Sequence, residues 1–309
     1  MISGWTLRLS AAFSVAGALL APAVALADWR DSFSVLRVGV MTGANAIYRQ
    51  AQLEPFRLYL EARTALPVEI VPMPTYAALI EGQSSSRVHY AVYSATAFSS
   101  AAAACGCVEP LAIPAAADGE TGFHAVLIAR SDGPIRSLAD AKGARLALAG
   151  PDSVAGRLLP MKAFEAEGIV AADYFSNVLD VADPELALTA LLAGEADLAA
   201  GWSSLSGDAA AGYSQGSLTA LVAEGGLSMD QIRIVWQSPL IPFGPHAVRK
   251  DIPGELKSLL SDALVAMAGE DPAALDAVDR SGGRGFVSAD AGLFAPTDAL
   301  VAGRAAAPR

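Results

Sequence analysis

The chain is poor in three kinds of residue. It has only two cysteines, three histidines and 21 basic residues against 32 acidic ones, for a net charge of −11. The basic deficit excludes a general nucleic-acid footprint, which needs a positive face, and adhesion to anionic lipid. Aromatics are 7% of the chain, too few for base-stacking platforms. The histidines, His89, His124 and His246, lie far apart and form no H-E-x-x-H or similar pair, so no metal site is expected. There is no G-x-x-x-x-G-K-[S/T] phosphate loop and no G-x-G-x-x-G after a strand, so neither nucleotide fingerprint is present and no cofactor is expected. After the first 27 residues no apolar run reaches the length of a membrane span. Apolar residues are nevertheless 53% of 309, enough for folded domains, and the length suggests two of them.

The first segment reads as an export address. Arg8 precedes an apolar stretch over 9–20, broken by Ser14 and Gly17, and Pro22 and Ala25-Leu26-Ala27 follow before Asp28. This is the pattern of a secretory signal peptide over 1–27, cleaved after Ala27, which places the remaining chain in the periplasm. In that oxidising compartment Cys105 and Cys107, separated by Gly106, are expected to form a local disulfide; two thiolates alone are too few for a soft-metal site.

Strand-like apolar runs over 36–41, 68–71, 90–93, 111–113, 124–129, 145–148, 197–200, 232–237 and 246–248 alternate with helical stretches over 53–64, 75–81, 96–104, 154–167, 184–193, 253–268 and 290–301. The alternation predicts an α/β protein with mainly parallel sheets, whose ligands sit beyond strand C-termini at helix N-termini. The clearest such place is 149–157, AGPDSVAGR, after the strand 145–148. Ser153 would cap a helix starting at Val154, and the amides of Val154, Ala155, Gly156 and Arg157 with the helix dipole would make an anion site. On local pattern alone, simple capping by Ser153 is favoured over a ligand role, and Arg157 either meets the anion or lies along the helix surface. A bulky residue at Gly156 is expected to crowd this N-terminus and abolish binding with the fold intact. A hydrolase using Ser153 lacks any sequence signal for a partner base; 150–156 is not a G-x-S-x-G elbow.

Further segments carry a family resemblance: 75–80 (TYAALI), 93–98 (YSATAF), 122–128 (GFHAVLI), 135–143 (IRSLADAKG), 152–160 (DSVAGRLLP), 194–197 (GEAD), 236–242 (WQSPLIP) and 245–253 (PHAVRKDIP). In their order and spacing, from Arg37 to Val301, the chain resembles the phosphate, phosphite and phosphonate substrate-binding proteins of ABC transporters, of the type II periplasmic binding fold. The resemblance implies two α/β lobes, 35–123 with 237–301 and 124–236, hinged at strands 124–130 and 232–238; beyond them 302–309 is expected to be a disordered tail. It implies a monomer that captures a small oxyanion between the lobes and delivers it to an inner-membrane ABC permease without catalysis, or reports it to a membrane sensor by the same closure. Tyr76, Tyr93, Ser94, Thr96 and His124 would approach the anion at the Ser153 helix, and Asp197 matches an acidic position that can face a ligand amine. Departures stand beside the matches. The family's Ser-Thr-Ser-Gly loop is Ser153-Val154-Ala155-Gly156 here, Phe123 replaces a common tyrosine, and Pro184 stands near the place of a histidine. Two lost hydroxyl donors, at about 1.5–3 kcal/mol each, would weaken a phosphonate by roughly 10²–10⁴-fold, which points to another oxyanion or a more apolar ligand.

Overall fold

Each short apolar run becomes a strand and each capped amphipathic run a helix, and the order of the two along the chain builds two six-stranded sheets. In this computed structural model the described residues are Met1, 28–31, 33–42, 46–279 and 283–306. The expected leader after Met1, its expected cleavage point and 307–309 lie outside them. Residues up to Phe33 are a separate unit, in which Trp29–Asp31 makes a single 3₁₀ turn and the Arg30 guanidinium lies 4.3 Å over the Trp29 ring.

The chain first lays down β1 (Leu36–Met41), α1 (Ala46–Gln52), α2 (Glu54–Thr64), β2 (Val68–Met73), α3 (Tyr76–Ser84), β3 (Tyr90–Val92), α4 (Ala95–Cys105) and β4 (Val108–Ala115). It then builds the second sheet from β5 (Gly122–Arg130), β6 (Arg145–Leu148), a π-helical turn (Val154–Leu158) running into α5 (Leu159–Ala166), α6 (Ala171–Tyr174), β7 (Asn177–Asp180), α7 (Pro184–Leu192), β8 (Leu198–Ser203), α8 (Ser217–Ala223), β9 (Ile232–Gln237) and β10 (Ile241–Pro242). It returns through β11 (His246–Arg249), α9 (Gly254–Glu270), α10 (Pro272–Val278), β12 (Gly285–Ser288) and α11 (Ala295–Ala306). The first sheet runs β12-β4-β11-β3-β1-β2; the second runs β10-β5-β8-β6-β7, with β9 also on β5. Among the described residues no helix is long and apolar enough to cross a membrane.

Both sheets are mixed, which corrects the mainly parallel expectation. Among the described residues only β1–β2, β1–β3, β6–β7 and β6–β8 are parallel; β4, β5, β9, β10, β11 and β12 pair antiparallel. The βαβ units give the parallel part. The strands that carry the chain out of one sheet and into the other run against them. The crossings also differ from expectation. The stretches expected as hinges, 124–130 and 232–238, are ladder partners within the second sheet, from Val126 opposite Gln237 to Arg130 opposite Ile232. The links between sheets are instead 116–121 and 243–245, outside any strand.

Each lobe has its own core. Phe98, Phe294, Leu79 and Ile113 fill the first; Ile128, Leu188, Leu191 and Leu218 pack one face of the second sheet, and Leu127, Leu146, Phe164 and Leu198 the other. A further cluster joins the lobes. The α11 helix starts on the first lobe, where the Phe294 ring lies 4.6 Å from Phe98 and the Thr297 and Ser99 hydroxyls are 2.8 Å apart. One turn later Leu300, 6% exposed, packs with Ala125, Ala155, Leu159 and Ile241 of the second lobe. The expected tail is therefore helical as far as Ala306, because Leu300 anchors the helix. Cys105 and Cys107 are joined by a disulfide across the C-cap of α4, where Gly106 takes φ +59°.

Two buried histidines tie stability to pH. His246 is 2% exposed, its Nδ1 hydrogen-bonds the Tyr90 hydroxyl, and burial pushes its pKa down to about 3. His89 is held down to about 4, first by burial and then by the Arg37 and Arg249 cations. Both stay neutral in the fold and would take a proton on unfolding below about 6.5, so the unfolded chain gains protons first. The melting temperature is expected to hold above pH 6.5 and to fall from there toward pH 4. A melting temperature that is flat between pH 7 and pH 4.5 contradicts this.

Candidate functional site

Two of the three helices that meet at the cleft follow parallel strands of the first sheet. Thr75 caps α3 by accepting the Ala78 amide at 3.1 Å, and Ser94 caps α4 by accepting the Ala97 amide at 3.3 Å. The third follows β6. There the Ser153 hydroxyl accepts the Gly156 amide at 3.1 Å, and the Ser153 carbonyl accepts both the Arg157 and Leu158 amides. This first turn is π-helical rather than the continuous α-helix expected over 154–167, and Pro160 supplies the reason. Proline has no N–H to return to the Gly156 carbonyl four residues back. The Ala149 amide donates to that carbonyl instead, at 3.0 Å, and pulls the β6 end onto the turn.

These three helix starts face one cavity of about 600 Å³. Its wall comes from Tyr76, Ile80, Ser94, Thr96, Ala97 and Ser100 of the first lobe, Asp152, Val154 and Leu158 of the second, and Leu300 and Val301 of α11. Tyr76 opens α3; Ser94, Thr96 and Ala97 are the cap and first turn of α4; Asp152 and Val154 flank the third start. In each helix the cap takes the third amide, so the amides of the first two residues have no intrahelical acceptor. The Ser100 hydroxyl donates to the Thr96 carbonyl at 2.9 Å, and Tyr76 and Thr96 are the hydroxyl-bearing wall residues within the first turns of α3 and α4. Three positive dipole ends in one cleft favour an anion by about 0.3–1 kcal/mol each at an exposed site and more when water is excluded. Among the described wall residues there is no Lys, Arg or His, and Asp152 is the sole formal charge.

The structure sorts the expected site residues. Tyr76, Ser94, Thr96 and Val154 line the cavity. Tyr93 is 3% exposed and turned to a neighbouring cavity of about 270 Å³ at the return crossing, shared with Ser94, Phe243 and Gly244. Its hydroxyl is a buried donor with no acceptor among the described residues, and burial raises its pKa. Ser153 is occupied as a cap, and Ala155, 6% exposed, belongs to the interlobe cluster. Gly156 is buried: a Cβ there would lie 2.6 Å from the Ala149 Cβ and 3.2 Å from the Pro184 Cγ. A bulky residue at Gly156 therefore strikes the core rather than the ligand, and the expectation of an intact fold is withdrawn.

Three expected ligand contacts are engaged elsewhere. Arg157 Nε donates to the Ala149 carbonyl at 2.6 Å and its Nη2 meets Asp180, so the guanidinium ties the 149–157 loop to β7. Asp197 lies beside the N-terminal ends of β6 and β8, away from the cleft. It accepts the Arg145 guanidinium fork at 3.0 and 2.6 Å and the Arg145 amide at 2.9 Å, which holds its carboxyl below the usual range. His124 donates from Nδ1 to the Ser238 carbonyl at 2.8 Å and steadies the β5–β9 join. Ile80, Ala97, Ser100, Asp152, Leu158, Leu300 and Val301 were missed. A one-turn offset from an expected contact would have found Ile80, Ser100 and Leu158; nothing in the sequence ties α11 to the cleft.

Comparison with known proteins adds to the geometry. The family described as "ABC transporter, phosphonate, periplasmic substrate-binding protein" matches residues 38–293. The phosphonates-binding periplasmic protein of Escherichia coli K12 is 26% identical over 262 residues, 83% of this chain and 72% of that protein. The phosphate-import protein PhnD of Mycolicibacterium smegmatis is 26% identical over 210 residues, 67% of this chain and 63% of that one. Among solved structures, XAC2383 of Xanthomonas citri, bound to ATP, aligns with a TM-score of 0.61 at 23% identity, over 87% of this chain and 96% of that one. PhnD1 of Prochlorococcus marinus, in complex with methylphosphonate, aligns at 0.54 and 14%, over 88% and 98%. The likeness to these structures is one of fold.

Proposed function

Because the chain belongs to the phosphonate family of periplasmic substrate-binding proteins of ABC transporters, we propose that its interlobe cavity captures a small oxyanion, of the phosphonate, phosphate or sulfonate type, for an inner-membrane permease. One observation carries the reading: three helix N-termini, two from one lobe and one from the other, open on a single cavity. An anion there joins the lobes, since each supplies donors that the other lacks. The two connectors, 116–121 and 243–245, are the places where the lobes would swing. The net charge of −11 repels anions at long range, but salt of about 0.15 M screens that field beyond roughly 8 Å, and the dipoles act inside this distance. Capture without turnover fits Ser153, whose hydroxyl is engaged with its own helix.

Thermal unfolding of the 28–309 chain with methylphosphonate, inorganic phosphate and ethanesulfonate tests this. A ligand at a hundred times its Kd stabilises by about 2.7 kcal/mol, a shift of several degrees. No shift with any oxyanion of the three types overturns the proposal.

A further inference from the structure

The cavity has two ends. The helix starts make the polar one. One turn further along α3 the wall changes from Tyr76 to Ile80, and along the third helix it stays apolar from Val154 to Leu158, four residues on in each. To the same wall α11 adds Leu300 and Val301. Ser100, one turn past Thr96, carries a hydroxyl, but it is already donated to the Thr96 carbonyl. A bare phosphate at the helix starts would leave most of the roughly 600 Å³ unfilled.

Resting on the oxyanion reading above, we infer that the ligand carries an apolar arm. The substrate class is an alkyl- or aryl-substituted oxyanion whose hydrocarbon lies along Ile80, Leu158, Leu300 and Val301. One helical turn is about 5.4 Å, the reach of a short alkyl chain. No wall residue at this end is charged, so an ammonium on the arm would be buried without a partner. The C-terminal helix thereby sets specificity, because it brings two of the four apolar contacts.

Calorimetric titration with methyl-, ethyl-, propyl- and butylphosphonate tests the inference. Burying a methylene gives about a fourfold gain in affinity, so butylphosphonate is expected to bind roughly 60-fold tighter than methylphosphonate. 4-Aminobutylphosphonate should lose that gain. Val301→Asp places a carboxylate at the apolar end and should reduce the butyl-to-methyl ratio to near one, whatever it does to either affinity alone. If methylphosphonate binds and affinity is flat or falls along the series, the apolar arm is overturned and the oxyanion site stands. If no member binds, both fall together. A butyl-to-methyl ratio that survives Val301→Asp also overturns the inference, because the chain then lies elsewhere.

Discussion

Thr96→Asp is expected to abolish oxyanion binding, with affinity for methylphosphonate falling about a hundredfold or more, while the protein stays folded. Thr96 sits in the first turn of α4 and on the wall of the cavity. An aspartate there meets the positive end of the helix dipole, which stabilises the helix by about 0.3–1 kcal/mol. The same carboxylate stands where the ligand's own charge would lie, and like charges brought together cost several kcal/mol. Stability and affinity should therefore move in opposite directions, which separates a site effect from misfolding. Thr96→Asn keeps a neutral polar side chain and should weaken binding less than tenfold. Titration and thermal unfolding of both variants give the answer, and unchanged affinity in Thr96→Asp removes the anion from this cleft.

Gly244→Ala should have the largest effect on stability. Gly244 lies in the return connector and runs against the entry to α4. A Cβ there would lie 1.9 Å from the Tyr93 carbonyl oxygen and 2.8 Å from the Ser94 Cα. The obstruction is backbone, so no side chain can turn aside. Overpacking typically costs about 1–3 kcal/mol, and this contact belongs at the upper end, a loss of roughly 6–10 °C in melting temperature. Relief would push Ser94 from its cap and so weaken binding as well. Gly254→Ala is the control: its Cβ meets nothing within 4 Å at the start of α9, and it should leave the protein as stable or slightly more so. Equal melting temperatures for the two variants would show that the connector is not packed on Tyr93–Ser94.

Much of the fold was legible because local chemistry decided it. The apolar runs at 36–41, 145–148 and 232–237 appear as strands with those bounds. The Ser153 cap and the Pro184 helix start stand where their side chains place them. Other features depended on partners far along the chain. Asp197 reads as an acid free to meet a ligand until Arg145, 52 residues away, folds beside it. Arg157 reads as an anion contact until β7 brings Asp180 to it. β7 itself, NVLD, is too short and too exposed to announce itself, and neither α8 nor β12 was anticipated. The antiparallel strands escaped notice because alternation of strand and helix says nothing of direction. Half the cleft followed from the rule that ligands gather at helix starts; the apolar half came from α11, whose Leu300 reads in sequence as any helical leucine.

A crystal structure of the 28–309 chain with methylphosphonate tests the central claim most directly. Phosphonate oxygens are expected within about 2.7–3.2 Å of the Val154 and Ala155 amides, with the Thr96 hydroxyl reaching them from the opposite lobe. Methylphosphonate held at another place, with those helix starts facing only solvent, would contradict it.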